Sequence, residues 1–280
     1  MATVADGQRV PAPSGALDRV LCAVDDGPGS LAAVREAIAI GPGAGRVDFI
    51  AVTGDLADDT GPVASLDRRR APHALELAQA QAAAHGVRAG IQLVEAPDVA
   101  DALIARAGAH DLLVAGIRAN SRLAGAATGS IATALAHRAV GPVLFARGGE
   151  RPGGAAPRIL VAVDDSAAAS EIVRLAGAIA ASRGGYVHVV HVQGSGYGPR
   201  TRHRLAELSL ELMTITGAEP VVDVLQGARV AVRVAEFAQR CHASLLVVGR
   251  RGLSGLRTLG SVSERLVHCA PCSVLVTSAP

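Results

Sequence analysis

Short, fully apolar runs alternate along this chain with longer stretches in which apolar residues recur every three or four positions. In the second half the runs Ile159–Val163, Tyr186–Val192, Val221–Leu225, Leu245–Val248 and Val274–Thr277 read as strands. Between them, a stretch capped by Ser166 and running through Ile179, then Arg202–Thr216, Val230–Cys241 and Val262–His268, read as helices. Strands that are apolar throughout have both faces buried, and strands separated by helices pair in parallel. The first half follows the same order with more Ala and Gly. The pattern therefore predicts α/β architecture with two five-stranded, doubly wound parallel sheets.

The two halves are copies. Leu17 to Asp26 resembles Pro157 to Ser166, Asp111-Leu-Leu-Val-Ala-Gly116 resembles Ser244-Leu-Leu-Val-Val-Gly249, and Gly129-Ser130-Ile131 resembles Gly260-Ser261-Val262. The offset between matching residues falls along the chain, from 139 (Asp25 to Asp164) to 129 (Pro142 to Pro271). A drifting offset is what duplication followed by loop trimming leaves, and a unit of this size means tandem domains, not a solenoid. The 280 residues also suit two domains at about 150 each. The expected boundaries are a loose tail at 1–16, domain 1 at 17–147, a Gly/Pro-rich linker at 148–156 and domain 2 at 157–278.

Composition then removes whole classes. All 27 basic residues are Arg, so a Walker-type phosphate loop and a Schiff-base enzyme, which both need Lys, are excluded. A net charge of +2 and 2% aromatic residues supply neither a basic surface nor base-stacking platforms, so no nucleic-acid partner is expected. No apolar run approaches a membrane span, and Met1 to Ala16 lacks the pattern of a secretory signal, so no membrane partner and a cytoplasmic location are expected. Four Cys are too few for a disulfide scaffold.

Candidate chemistry gathers at strand ends, where open parallel sheets bind ligands. Asp25 and Asp164 end the first strand of each copy. Gly249-Arg-Arg-Gly252 leaves the fourth strand of copy two, and Gly260-Ser261 opens the following helix. This reads as a phosphate cradle. Glycines admit close backbone approach and positive φ, the helix start offers free N–H groups, and Arg250, Arg251 and Arg257 add charge. Ser261-Val-Ser-Glu264 also spells a capping box. The same residues read equally well as a capped helix after an ordinary turn, and the pattern alone does not separate the two.

At these residues the chain resembles the universal stress protein family, as a tandem member. The family motif is Gly, two residues, Gly, nine residues, then Gly followed by Ser or Thr. The resemblance covers about 17–147 and 157–278. It is highly specific for a Rossmann-like fold, akin to the adenine nucleotide α-hydrolases, and less so for the ligand, because some members bind ATP and others do not; the ligand it implies is ATP or ADP, with Mg²⁺ on the phosphates. It implies that Ala162, Val163, Asp164 and Val192 face the adenosine in copy two, with Val248, Gly249, Gly252, Gly260, Ser261 and Val262 on the phosphate side. The matching positions in copy one are Ala23, Val24, Asp25, Val52, Ala115, Gly116, Gly129, Ser130 and Ile131. The valines among them read equally as core.

Both copies depart from the ATP-binding pattern. Copy one keeps the spacing, but Ala119 stands where the second glycine belongs. Copy two keeps its glycines, but only residues 253–259 separate the last two. Copy two ranks higher, because its Arg-rich loop suits anions and Gly255 offsets part of the shortening. The family resemblance also implies that the last strands, near Val143–Ala146 and Val274–Thr277, pair within the chain as a pseudo-dimer, which a further homodimer can extend.

Other residues carry less. Cys269-Ala-Pro-Cys272 ends a helix instead of starting one, so structural cysteines are expected, not a redox pair. Within Asp25-Asp26 and Asp164-Asp165 one carboxylate of each pair can cap a helix; the second, on a minority reading, holds ribose, adenine or magnesium. His188 and His191 are expected on one face of a strand as ordinary buried histidines, and Arg68-Arg69-Arg70 as a solvated loop run. No nucleophile elbow and no general base stand beside the cradle, and the Ser-Gly-Gly-x-Asp-Ser loop of nucleotide α-hydrolases is missing. The expectation is a nucleotide-binding stress-response or regulatory protein with at most slow ATP hydrolysis. The competing reading is an interaction module of the same fold that has lost its nucleotide.

Overall fold

The computed structural model describes residues 17–40, 45–54, 62–117, 130–148, 156–193, 198–250 and 260–277. The first half runs β1 (Arg19–Ala23), α1 (Pro28–Ile40), β2 (Arg46–Gly54), α2 (Pro62–Ala84), β3 (Arg88–Ala96), α3 (Val99–Ala107), β4 (Leu112–Ile117), α4 (Ser130–Arg138) and β5 (Val143–Arg147). The second half repeats it as β6 (Arg158–Val163), α5 (Ala169–Arg183), β7 (Tyr186–Gln193), α6 (Pro199–Thr216), β8 (Val221–Gln226), α7 (Val230–Arg240), β9 (Leu245–Gly249), α8 (Ser261–Cys269) and β10 (Ser273–Thr277). Among the described residues no helix is long and apolar enough to cross a membrane.

One ten-stranded sheet runs through both halves in the order β3-β2-β1-β4-β5-β10-β9-β6-β7-β8. Pairing is parallel within each half. The halves join where β5 and β10 pair antiparallel, Val274 opposite Phe145 and Val276 opposite Val143, in the segments expected to form an intramolecular pair. One core lies beneath α1, α2, α5 and α6, with Phe49, Leu75, Ile172 and Leu208. The other lies beneath α3, α4, α7 and α8, with Leu103, Leu135, Val234 and Leu266. Both cores cross the domain boundary. The inner strands are buried on both faces, as their apolar runs require, whereas the edge strands β3 and β8 keep exposed residues such as Leu93 and Val221.

Helix ends follow local chemistry. Gly184 (φ 61°) and Gly217 (φ 69°) close α5 and α6 in the left-handed conformation that lets a helix stop, and Pro199 opens α6. Ser166 departs from its expected role. It sits in the turn before α5, which starts at Ala169 with Ala168 at its cap and no side-chain cap bond. The backbone N–H of Ser166 instead donates to Asp164 Oδ1 at 3.0 Å. A capping serine must sit one residue before the first helical turn, and here two extra turn residues intervene.

Buried charge ties the halves together. Glu36 of α1 and Arg183 of α5, 3% and 5% exposed at their side chains, approach at 3.3 Å, and Ser273 Oγ donates to Glu36 Oε1 at 2.8 Å. On the opposite side of the sheet Arg147 Nη2 donates to the carbonyls of Val267 and His268 at the end of α8. A second polar cluster lies within domain 1. Asp48 Oδ1 accepts from Arg46 Nε at 2.7 Å, and His110 Nε2 lies 3.2 Å from Oδ2. Burial alone would raise the Asp48 pKa, but the bonds and charges of Arg46 and His110 outweigh it and hold the carboxyl below its ordinary value.

A carboxylate with a lowered native pKa stabilises the fold above its unfolded pKa, about 3.9, and that contribution disappears as pH falls through the native value. The stability advantage of the wild type over Asp48→Asn, read from urea midpoints, is therefore expected to be constant from pH 7 to 5. It should shrink below about pH 4 and vanish in stronger acid.

Candidate functional site

In a doubly wound sheet the crevice opens where successive strands leave in opposite directions. Here that happens between β1 and β4 and between β6 and β9. A cavity lies at the carboxyl ends of the strands in each place. The first, about 490 Å³, is lined by Ala23, Val24, Asp25, Val52, Ala115, Gly116 and Ile131. The second, about 500 Å³, is lined by Ala162, Val163, Asp164, Val192, Val248, Gly249, Gly260, Ser261 and Val262. Residues 100 or more positions apart in sequence, such as Ala23 and Ile131 or Ala162 and Val262, thus meet in one hollow, of the size small ligands occupy. Ser130 is the first residue of α4, beside the first cavity. Ala119, Gly129, Arg251, Gly252 and the 253–259 loop with Gly255 and Arg257 lie outside the described residues.

The paired aspartates divide their work. Asp25 Oδ1 accepts from the Gly27 N–H at 2.8 Å, and Asp164 Oδ1 from the Ser166 N–H, so each first Asp folds its own turn. Their Oδ2 atoms have no partner among the described residues. The second Asp of each pair ties a helix to the cavity rim. Asp26 Oδ2 meets Arg70 Nη1 at 2.7 Å, and Asp165 Oδ2 accepts from Thr201 Oγ1 at 3.1 Å. The Arg68–Arg70 run is accordingly not a loop. It lies in α2, and Arg70 lines the first cavity.

On the phosphate side two expectations change. Gly260, not Ser261, caps α8, with φ −66° and ψ 144°, an extended conformation open to any residue. No capping box forms, because Ser261 is already the first helical residue; Ser263 Oγ instead donates to the Gly249 carbonyl at 2.5 Å. Gly116, which lines the first cavity, also packs tightly. A Cβ there would lie 2.3 Å from the Gly29 carbonyl oxygen, where α1 crosses the end of β4. Arg250 is no phosphate ligand. It is 3% exposed and turns into domain 1, where Nη1 donates to the Ala136 carbonyl and Nη2 to Gly141 O at 3.1 Å. A guanidinium is well matched to the unpaired carbonyls at a helix end, and α4 ends there.

Several cavity residues were not legible in the sequence. Thr53 and Arg70 line the first cavity, and His191, Gln193 and Thr201 the second. His188 and His191 stand three apart, so strand alternation puts them on opposite faces, not one. His188 meets Asp223 at 2.7 Å and the edge of Phe237, whereas His191 Nδ1 lies 3.1 Å from the Val163 carbonyl. Among the described residues no three potential ligands cluster for a metal ion. Cys269 ends α8 and Cys272 precedes β10. Burial pushes the Cys272 thiol up to about 12, the opposite of a reactive redox cysteine.

The sequence model of the Universal stress protein family matches residues 16–147 and 156–278. A curated universal stress protein from Methanocaldococcus jannaschii is 39% identical over 66 residues, 23% of this chain and 38% of that protein, so the match spans well under half of the relative. The crystal structure of a universal stress protein from Archaeoglobus fulgidus superposes with a TM-score of 0.75 at 21% identity, covering 93% of this chain and 98% of that one. Another from the same genus and species, solved in complex with dAMP, covers 44% of this chain and 98% of its own at 28% identity and a TM-score of 0.35.

Proposed function

Because the chain belongs to the universal stress protein family, we propose that it binds an adenine nucleotide, ATP or ADP, in the domain 2 cavity and uses it as a regulatory ligand. The observation that carries this reading is the pairing of two features in one hollow. Asp164 offers a carboxylate oxygen that has no partner among the described residues, and α8 presents its amino terminus through Gly260, Ser261 and Val262. A carboxylate accepts from ribose hydroxyls, and a helix amino terminus takes phosphate oxygens on its free N–H groups. Val192 and Val248 supply apolar wall for the base. Mg²⁺ would ride on the phosphates. On this reading the nucleotide is a regulatory ligand, with at most slow turnover.

The domain 1 cavity is the second candidate, with Asp25 and α4 in the same places. The competing reading, an interaction module without nucleotide, is favoured by one observation. Arg250 spends its charge on the domain interface, which leaves the phosphate side of domain 2 with less positive charge than the sequence suggests.

Thermal unfolding in rising ATP separates the two. A ligand that binds only the folded chain stabilises it by about 2.7 kcal/mol at a hundred times its Kd. The wild type is expected to gain Tm progressively. Asp164→Ala should need about tenfold more ATP for the same gain, since one charged hydrogen bond is lost. No gain in the wild type at millimolar ATP favours the interaction module.

A further inference from the structure

The sequence motif leaves several cavity residues unused, Gln193 among them. Gln193, the last residue of β7, is 8% exposed and lines the domain 2 cavity beside His191 and Thr201. Neither its Oε1 nor its Nε2 has a hydrogen-bond partner among the described residues, although both atoms are buried. Buried amides are almost always satisfied, and leaving one unpaired costs the fold. Thr53 stands at the matching place, the next-to-last residue of β2. It is 5% exposed, lines the domain 1 cavity, and its hydroxyl also has no partner among the described residues. Two copies of the domain have thus kept an unsatisfied polar group at the same wall of the same hollow. The groups differ in kind: an amide offers a donor and an acceptor side by side, a hydroxyl a single centre.

We infer that Gln193 is a specificity-determining residue of the domain 2 cavity, where its amide reads the base of a bound nucleotide through a paired donor and acceptor. This rests on the nucleotide reading above. The strand order supplies the geometry. The phosphate-binding helix α8 follows β9, and β7 lies two strands away, about 10 Å across the sheet at the usual strand spacing. A nucleotide with its phosphates at Ser261 therefore extends its base toward the end of β7. Adenine presents an amino donor next to a ring-nitrogen acceptor, and the Gln193 amide complements that pair with both its atoms. In domain 1 the Thr53 hydroxyl meets only half of such an edge, so the two cavities differ in the ligands they discriminate.

The test is a cycle between residue and ligand on the full chain. Calorimetric affinities of wild type and Gln193→Leu are measured for ATP and for purine riboside triphosphate, which lacks the amino group, alongside Tm of each protein without ligand. In the wild type, loss of the amino group is expected to weaken binding about tenfold. In Gln193→Leu the two ligands should bind equally, each about as weakly as purine riboside triphosphate binds the wild type or weaker. The ligand-free variant should melt at the same temperature or higher, because an unpaired amide has been removed. A variant that keeps the ATP preference overturns the role of Gln193 while leaving nucleotide binding standing. A variant that melts lower and loses both ligands in proportion also overturns it, since the glutamine is then structural. No binding of either nucleotide by the wild type overturns both readings together.

Discussion

Arg183→Met is expected to cost the fold about 3–5 kcal/mol, the usual penalty for removing one partner of a buried ion pair. Its partner Glu36 is 3% exposed and would keep its charge away from water without the guanidinium that now faces it. The loss falls on the contact between α1 and α5, so it weakens the junction of the two domains as well as each domain. Urea unfolding of the full chain measures it. The double variant Glu36→Met with Arg183→Met supplies the sign check. Replacing both members by apolar groups of similar volume is often neutral or stabilising, so the double variant is expected to recover most of the loss. A double variant as unstable as the single one would show that packing, not charge, sets the cost.

Gly116→Val should cost about 3 kcal/mol or more, at the top of the range for overpacking. Its Cβ would meet the Gly29 carbonyl at 2.3 Å and the Gly29 carbonyl carbon at 2.4 Å. These are backbone atoms at the start of α1, held between β4 and the turn that carries Asp25, and no side-chain rotation relieves the contact. Gly108→Ala is the control. That residue has φ −59° and its nearest neighbour to an added Cβ is the Ala105 carbonyl oxygen at 3.6 Å, so a change within about 0.5 kcal/mol is expected. The result also bears on function. A loss of ligand binding in Gly116→Val would report a displaced helix, so this position cannot identify which cavity holds a ligand, whereas the aspartates can.

The sequence carried the framework because the framework is built from uniform signals. Runs such as Leu245–Val248 and Val274–Thr277 have no polar position to place on a surface, so they sit inside a sheet, and their edges differ from the observed strands by a single residue at one end. The family resemblance, not the apolar pattern, carried the pairing of β5 with β10. What escaped depends on direction, which sequence does not encode locally. Arg250 stands beside glycines at a strand end and reads as a phosphate ligand, yet the chain turns it inward onto α4. Ser166 and Ser261 each have the right type for a cap, yet Ser166 lies two residues before the cap of its helix and Ser261 one residue past it. Glu36 sits in an alanine-rich helix and resembles a solvent-facing residue until the second domain covers it. Gln193 is an ordinary strand-end glutamine until its burial and missing partners are known. The two aspartate pairs were legible as strand-end carboxylates, but which member folds the turn and which ties down a helix required the distances.

The central claim is that the cavity bounded by Asp164 and α8 holds an adenine nucleotide. Calorimetric titration of the nucleotide-free chain with ATP and Mg²⁺, repeated on Asp164→Ala and Asp25→Ala, tests it most directly. The account predicts saturable binding that weakens about tenfold in Asp164→Ala, the effect of one charged hydrogen bond, and is unchanged at the domain 2 site in Asp25→Ala. Absence of heat at millimolar ATP, or a wild-type isotherm preserved in Asp164→Ala, would contradict it.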